Sequence, residues 1–141
     1  MKLTLIMMIM ITSFTKVYAQ IDTIPPATPA NVQGFGYEKH IDIDWYENSE
    51  SDLAGYKIYR RVSGVFTYYT SVTKEVSYKS LYLGAIGITN YFKVSAYDLS
   101  GNESSLSDSV ECTTHTMTDD EFLDMVQRAT FRFFYDYGHP V

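Results

Sequence analysis

The amino-acid sequence predicts an all-β protein built as a sandwich of two antiparallel sheets. About seven short runs of alternating apolar and polar residues lie between residues 30 and 114, and turn-forming clusters separate them about every 8–12 residues. One large aromatic side chain, Trp45, lies in the second run, where a small sandwich needs bulk between its sheets. No helical periodicity interrupts this rhythm before residue 114.

The run HIDIDWYE at residues 40–47 shows the alternation most clearly. Three apolar side chains share one face and two carboxylates share the other: Ile41, Ile43 and Trp45 against Asp42 and Asp44. Successive side chains of a strand point to opposite faces. The pattern therefore predicts a half-buried strand whose carboxylate face is wet.

Two further runs alternate in the same way, AGYKIYRRV at residues 54–62 and NYFKVSAYD at residues 90–98. The side chains predicted to point inward are Tyr56, Ile58, Phe92, Val94 and Ala96. Those predicted to point outward are Lys57, Tyr59, Arg61, Tyr91, Lys93, Ser95 and Tyr97. Residues 64–73 and 76–83 are rich in β-branched and aromatic side chains, and residues 106–114 close the set of strands.

The first 19 residues have the pattern of a secretory signal peptide. Lys2 precedes a nine-residue apolar run at residues 3–11, and the segment closes on Val-Tyr-Ala before Gln20. This run is shorter than the roughly 20 residues of a bilayer-spanning helix, and an uncleaved anchor or a core helix is the alternative. No cysteine follows the cleavage site, which argues against a lipoprotein anchor. The pattern predicts export to the periplasm or the extracellular space.

The charge balance restricts the classes of partner. Cleavage of the signal would remove Lys2 and Lys16 and no acid, which takes the formal net charge from −6 to −8. An acidic chain without a basic stripe argues against nucleic acid and anionic lipid as partners. After cleavage we expect no membrane contact.

Residues 22–114 resemble a bacterial fibronectin type III domain. The resemblance is carried by PPATPANV, the Trp of IDIDW, SDLAGYKIYRR as third strand and YFKVSAYDLSGNES as sixth strand with its turn. The proline-rich lead-in at residues 20–29 cannot pair as a central strand. In this family a tyrosine corner begins four residues before the valine of the sixth strand. Here Asn90 holds that position, so the sequence does not predict the corner hydrogen bond. The assignment of residues 90–98 as a strand is unaffected.

The sandwich sequence carries no recognisable catalytic, cofactor or metal site. Residues 98–103, DLSGNE, are rich in oxygen ligands but lack the order of a calcium loop, so we predict a hairpin turn with Gly101 at positive φ. The acids of residues 47–52 predict a solvated loop. His40 is interpreted as structural. Cys112, the single cysteine, is interpreted as a buried small hydrophobe.

Tyrosines offer an alternative role for the sandwich, because aromatic faces stack on sugar rings. The chain holds 13 tyrosines, and five of them are expected to be partly exposed on sheet faces: Tyr59, Tyr68, Tyr69, Tyr91 and Tyr97. The two interpretations of these tyrosines are carbohydrate binding and, more plainly, the preference of tyrosine for β-sheet surfaces. Fibronectin type III modules of exported bacterial enzymes are usually spacers or docking surfaces, and fold alone assigns neither role.

Beyond a short linker at residues 115–117 the period changes to that of a helix. Thr118 and Glu121 have the spacing of a capping box. Apolar side chains then recur every three or four residues, which predicts an amphipathic helix ending near Gly138, before Pro140. The predicted stripe contains Phe122, Met125, Val126, Ala129, Phe133 and Tyr137, flanked by Leu123, Thr130 and Phe134 and broadened by Phe131 and Tyr135.

Residues 118–141 resemble the opening helix of the glucoamylase-like (α/α)-barrel glycoside hydrolases. The family pattern L-x-x-V-Q-x-x-T-F-x-Y-F-x-D-x-x-H-P is matched at Leu123, Val126, Gln127, Thr130, Phe131, Phe133 or Phe134, Asp136, His139 and Pro140. The family's barrel runs to several hundred residues, so the resemblance implies that this chain holds only its first helix. Asp136 and His139 line the barrel entrance in one interpretation and pack the helix end in the other.

These features together favour the N-terminal part of an exported bacterial glycoside hydrolase. Its two catalytic carboxylates would lie beyond residue 141, with polysaccharide or oligosaccharide as substrate of the parent enzyme and an intramolecular contact to the missing barrel. Two alternatives remain: a stand-alone exported module that binds carbohydrate or protein, and a purely structural spacer.

Overall fold

The computed structural model of the protein describes residues 21–138, with side chains up to Tyr135. Within these residues seven strands precede one helix: β1 (Gln33–Gly36), β2 (His40–Asp44), β3 (Leu53–Val62), β4 (Val65–Thr73), β5 (Tyr78–Tyr82), β6 (Thr89–Asp98), β7 (Val110–Thr113) and α1 (Asp119–Gly138). The predicted signal peptide and His139 lie outside the described residues. No helix in this part of the chain is long and apolar enough to cross a membrane.

The strands form two antiparallel sheets that pack face to face. One sheet has the order β1-β2-β5 and the other the order β4-β3-β6-β7. The predicted two-sheet sandwich of about seven strands, followed by an amphipathic helix, is confirmed. The alternation explains it, since inward side chains of β2, β3 and β6 all meet in one core.

The core contains the inward side chains that the alternation predicts, among them Ile41, Ile43, Tyr56, Ile58, Phe92, Val94 and Ala96. Trp45 follows directly after β2, and its ring lies 5.1 Å from that of Tyr56 between the sheets. The Tyr56 hydroxyl accepts a hydrogen bond from the backbone N–H of Asn48 at 2.8 Å. This bond gives the buried phenol a partner and fixes the loop after β2.

The position of the tyrosine corner is filled by a polar pair instead. Asn90 is buried, and its Oδ1 accepts a hydrogen bond of 2.7 Å from Nε of Arg60 on β3. An Asn–Arg hydrogen bond between β6 and β3 thus occupies the place that a tyrosine corner holds in fibronectin type III domains.

Strand β1 closes the sandwich by packing its glycine backbone against β7. A side chain at Gly34 would overlap Sγ of Cys112, and one at Gly36 would overlap the Thr113 carbonyl oxygen. After β7 the chain stays beside β1, because the N–H of His115 donates to the carbonyl oxygen of Tyr37 at 3.0 Å. This path delivers α1 to the outer face of the three-stranded sheet.

The predicted capping box at the start of α1 is confirmed. The N–H of Glu121 donates to Oγ1 of Thr118 at 3.3 Å, and the N–H of Thr118 donates to Oε2 of Glu121 at 2.8 Å. Two backbone donors of the first turn are therefore satisfied by side chains. His115 Nε2 lies 3.0 Å from Oε1 of the same glutamate, which links the helix start to the end of the sandwich.

Candidate functional site

Two arginines hold α1 against the outer face of the three-stranded sheet. The Arg128 guanidinium lies 4.0 Å from the ring centroid of Phe35 on β1. Arg132, one helical turn later, lies 3.9 Å from the ring centroid of Tyr78 on β5, and its Nη1 donates to Oδ2 of Asp42 at 3.4 Å. The contact is thus made of cation–π stacks and an ion pair rather than of interlocking aliphatic groups.

The carboxylates of β2 are covered by this helix, so the prediction of a wet face is wrong for Asp42. Its side chain is only 11% exposed and accepts hydrogen bonds from Arg132 and from Oγ of Ser80. Asp44 is half-buried. Burial raises the pKa of Asp44 above its usual range, and the nearby charges of Arg132 and Arg128 offset only part of the shift.

The aromatic stripe of α1 points away from the sandwich. At 100° per residue, Phe122, Val126, Ala129 and Phe133 fall within about 60° of one another, on a different side from Arg128. Phe122 is 50% exposed, Leu123 54% and Phe134 67%. The helix therefore rests on the sheet with its charged side and presents its apolar side outward, the reverse of the usual arrangement of a surface helix.

An open groove of about 780 Å³ runs between α1 and the sheet beside the arginine contacts. The sheet wall includes Asp44, Tyr46 and Glu47, and the helix wall includes Gln127, Phe131, Arg132 and Tyr135. The Phe131 and Tyr135 rings are nearly parallel, with 21° between their planes and 6.3 Å between their centroids. Aromatic faces and hydrogen-bonding groups therefore meet in one concave surface.

The outer face of the four-stranded sheet is organised around one carboxylate, Glu103. It accepts hydrogen bonds from Nζ of Lys57 at 2.5 Å, from the Tyr59 hydroxyl at 2.6 Å and from Oγ of Ser95 at 2.6 Å. Burial acts to raise the pKa of Glu103, but these three donors outweigh it and hold the pKa below its usual range. Ser95, predicted to face outward, is fully buried beneath this cluster.

The five sheet-surface tyrosines are partly exposed, as predicted, but cations lie over three of their rings. Lys57 lies 5.2 Å from the centroid of Tyr97, Arg60 lies 5.7 Å from that of Tyr69 and Arg61 lies 5.4 Å from that of Tyr91. The Tyr59 and Tyr68 rings meet edge to face at 6.2 Å. These contacts leave the sheet face with few bare rings on which a sugar could stack.

The turn at residues 98–103 adopts the predicted hairpin-like geometry, with Gly101 at φ +88. Asp98 is 2% exposed and accepts hydrogen bonds from the backbone N–H and the Nδ2 of Asn102, both at 2.8 Å. Carboxylate oxygens of Asp22 and Asp52 converge on Asp98, all within 4.8 Å. The sequence did not indicate this cluster, because its members lie on three separate segments.

Three other side chains considered as candidate site residues, Cys112, His40 and Glu50, make packing contacts or hydrogen bonds within the sandwich. Cys112 is buried against β1, and burial raises the pKa of its thiol to about 11. His40 is half-buried, with its ring 4.8 Å from that of Tyr37. In the 47–52 loop, Glu50 accepts a hydrogen bond from the N–H of Ala27 at 2.6 Å and so fastens the proline-rich lead-in. The side chain of Asp136 lies outside the described residues.

The sequence did not indicate the groove either. Its walls come from the loop after β2, from the start of β5 and from the middle of α1. The one available signal was the spacing of Phe131 and Tyr135, since residues four apart lie on the same side of a helix. From the sequence alone, that spacing predicts only a broader apolar stripe.

The chain is related in sequence to a bacterial glycoside hydrolase. An exo β-1,2-glucooligosaccharide sophorohydrolase of Parabacteroides distasonis is 38% identical over 113 residues, which are 79% of this chain and 16% of that protein. The crystal structure of a β-1,2-glucanase from the same organism matches with a TM-score of 0.69 and 35% identity over 79% of this chain. The chain thus spans about a sixth of the relative's length. It matches no protein-family profile.

Fibronectin type III domains share the fold of the sandwich. The structure of FN3tt matches over 65% of this chain and 97% of its own, with a TM-score of 0.56 and 16% identity. The fn3 domain of human contactin 1 matches over 72% of this chain and 90% of its own, with a TM-score of 0.57. At this identity the likeness concerns the fold alone, and the sandwich is fibronectin type III-like.

Proposed function

We propose that residues 21–138 are the accessory sandwich and opening helix of an exported glycoside hydrolase that acts on β-1,2-linked glucose chains. The observation that carries the proposal is the 38% identity over 113 residues to an exo β-1,2-glucooligosaccharide sophorohydrolase. That alignment is longer than the described sandwich with its lead-in, residues 21–114. Its identity is also more than twice the 16% of the FN3tt match, which is a likeness of fold alone.

The extent of the structural matches supports the same interpretation. FN3tt covers 65% of this chain, whereas the Parabacteroides β-1,2-glucanase covers 79%. The difference is close to the 20 residues of α1. We infer from this difference that the match to the glucanase includes α1, in agreement with the resemblance of its sequence to the opening helix of an (α/α)-barrel.

The orientation of α1 also supports the proposal. Phe122, Leu123 and Phe134 are at least half exposed on the side of the helix away from the sheet. Exposed apolar patches of this kind usually mark contacts with other protein surfaces. Helices of a catalytic domain would bury that side, while Arg128 and Arg132 hold the other side on the sandwich. The helix would then join the two domains rigidly.

In this proposal the sandwich positions the catalytic domain and carries no part of the cleavage reaction. Glycoside hydrolysis needs two carboxyl groups on opposite sides of the scissile bond. We place them in the part of the relative's length that this chain does not span. The buried carboxylates of the described residues serve the sandwich itself, as Asp98 does in its turn and Glu103 on its sheet.

A domain exchange tests the proposal. Residues 21–138 would replace the matching segment of the Parabacteroides β-1,2-glucanase, and hydrolysis of β-1,2-glucooligosaccharides would be assayed. We expect the chimera to retain activity. A second chimera that receives residues 21–114 alone, without a helix, should be insoluble or inactive, because the aromatic side of α1 completes the catalytic domain.

Variants of the helix provide the matched controls. Replacing both Phe122 and Phe134 by Ser in the chimera should impair folding or activity, whereas Tyr68→Ser, an equally exposed change on the four-stranded sheet, should not. A soluble chimera that is inactive although the parent enzyme is active would overturn the proposal. Equal activity with and without α1 would show that the helix is no part of the catalytic domain.

A further inference from the structure

We propose that the groove between α1 and the three-stranded sheet binds a β-linked glucooligosaccharide. The choice of glucose chains rests on the proposed function, whereas the existence of the site rests on the groove's own geometry. The sandwich would then hold substrate beside the catalytic domain instead of acting only as a spacer. One wall of the site belongs to the sheet and the other to α1.

Exposed aromatic rings line both walls. Tyr46, on the sheet side, is 66% exposed, and Phe131, on the helix side, is 73% exposed. Phe131 and Tyr135 lie one helical turn apart, with 21° between their ring planes. The exposed face of an aromatic ring is a surface on which the C–H face of a pyranose ring can stack.

Hydrogen-bonding side chains line the same groove. Asp44 and Glu47 supply carboxylate acceptors on the sheet side, and Gln127 supplies an amide on the helix side. Carboxylates accept from two neighbouring hydroxyls at once, and an amide both donates and accepts. A ligand that carries a hydroxyl on almost every carbon fits this arrangement better than an apolar ligand does.

The charges of the groove favour a neutral ligand over an anionic one. Arg132 is engaged by Asp42 and stacked on Tyr78, and Arg128 is stacked on Phe35 and bonded to Asp124 at 3.1 Å. Their charges are therefore already directed to protein partners. A glucan without carboxylates or sulfates meets no repulsion from Asp44 and Glu47, whereas an acidic polysaccharide would.

The size of the groove suits a short oligosaccharide. Its volume of about 780 Å³ falls within the range of roughly 300–1,000 Å³ typical of ligand sites. The groove is open to solvent, so a chain can pass through it. The sheet on the far side of the sandwich offers no comparable surface, because Lys57, Arg60 and Arg61 lie over its tyrosine rings.

Binding of oligosaccharides to the 141-residue chain tests the proposal directly, because this chain alone forms the groove. The ¹⁵N-labelled protein would be titrated with β-1,2-glucooligosaccharides of three to six units and, separately, with maltooligosaccharides and oligogalacturonates. We expect millimolar binding of the β-1,2-linked glucans. The shifted backbone resonances should cluster at residues 44–47 and 124–135.

Two matched pairs of variants locate the site. Tyr46→Ala and Phe131→Ala should each weaken binding about two- to tenfold, the effect of losing one aromatic contact. Tyr82→Ala, 72% exposed on the same sheet, and Phe134→Ala, 67% exposed on the same helix, should leave affinity unchanged. All four side chains are exposed, so the variants are expected to fold, and their amide spectra verify it.

The outcomes separate this proposal from the proposed function. No binding of any glucooligosaccharide at tens of millimolar would overturn the site, even if the domain-exchange chimera is active. Binding weakened by Tyr82→Ala but not by Tyr46→Ala would also overturn it. Preference for oligogalacturonates or maltooligosaccharides would overturn the ligand class. Glucan binding in the groove together with an inactive chimera would uphold the site and remove the catalytic proposal.

Discussion

The two sheets of the sandwich cover their outer faces by opposite means. The four-stranded sheet covers itself, since Lys57, Tyr59 and Ser95 from its own strands gather around Glu103. The three-stranded sheet is covered from outside, by Arg128 and Arg132 of α1. The first arrangement is completed within the sandwich, whereas the second needs a segment that lies beyond it in sequence.

This difference indicates which face is structural and which is available for function. A cluster that satisfies its own donors and acceptors contributes to the stability of the sheet and leaves few groups for a ligand. A face that is covered by stacked arginines keeps a groove at its margin and couples the sandwich to the helix. We therefore expect substitutions on the four-stranded sheet to change the free energy of unfolding. Substitutions on the three-stranded sheet should instead change how firmly α1 is held.

The largest effect is expected for Glu103→Ala. The change leaves the buried Ser95 hydroxyl and the Lys57 charge without their shared acceptor, and hydrogen bonds to a charged group are worth about 1.5–3 kcal/mol each. The side chains of Lys57 and Glu103 are about 30% exposed, so solvent screens part of their interaction. We expect the free energy of unfolding, measured in urea, to fall by about 3 kcal/mol. Glu111→Ala, an exposed glutamate on β7, is the control and should change little.

The same cluster should be visible in the titration of Tyr59. Burial and the hydrogen bond to Glu103 raise the pKa of Tyr59 to about 12, from an ordinary value near 10. A raised pKa contributes stability below pH 10 that is lost as the pH rises through about 12. The pKa values of the buried Tyr37 and Tyr56 are also raised, so ultraviolet titration should show several phenols that ionise late. In Glu103→Ala one of them, Tyr59, should move toward 10, and a titration curve identical to that of the unsubstituted protein would contradict the assignment.

A smaller effect is expected for Arg132→Ala on the other face. The free energy of unfolding of the sandwich should fall by less than about 1 kcal/mol, because the substitution leaves its core and strand pairing unchanged. The amides of α1 should nevertheless exchange with solvent several times faster, since the ion pair to Asp42 and the stack on Tyr78 are removed. Arg61→Ala, which removes a stack on Tyr91 instead, is the control. Equal exchange in both variants would show that the helix is held otherwise.

The smallest effect concerns pH dependence, where the two faces should have opposite signs. The pKa of Asp44 is raised by burial, so its contribution to stability is present below its ordinary value and is lost as the pH rises. Asp44→Asn should therefore stabilise the protein slightly at pH 7 and have no effect near pH 3. The pKa of Glu103 is lowered, so the cost of Glu103→Ala should be largest at pH 7 and shrink below pH 4.5. Urea unfolding at several pH values measures both.

Much of the sandwich was predictable, because alternation identifies the strands that have one buried and one outer face. It placed Ile41, Tyr56 and Phe92 in the core, where they lie. It did not indicate β1, since Gln33–Gly36 has two glycines and packs by its backbone. Nor could it place Asp42 correctly, because a polar side chain on an outer face is wet only if nothing covers that face.

The helix was predicted by its capping box and its apolar spacing, but its orientation was not. Periodicity shows which side chains share a side of a helix, not which side meets the neighbouring sheet. Here Arg128 and Arg132 make the contact, because they stack on aromatic rings of β1 and β5. The groove depends on that orientation, so its residues could not be assembled from the sequence.

The backbone contact between β1 and β7 has a consequence for inherited variation. Every amino acid other than glycine carries a Cβ, and at Gly36 that atom would overlap the carbonyl oxygen of Thr113, which cannot rotate away. Every missense change at this codon should therefore separate the two strands, whatever the chemistry of the new side chain. A saturation library selected for folded protein should return glycine alone at position 36, and should accept many residues at the exposed Tyr82.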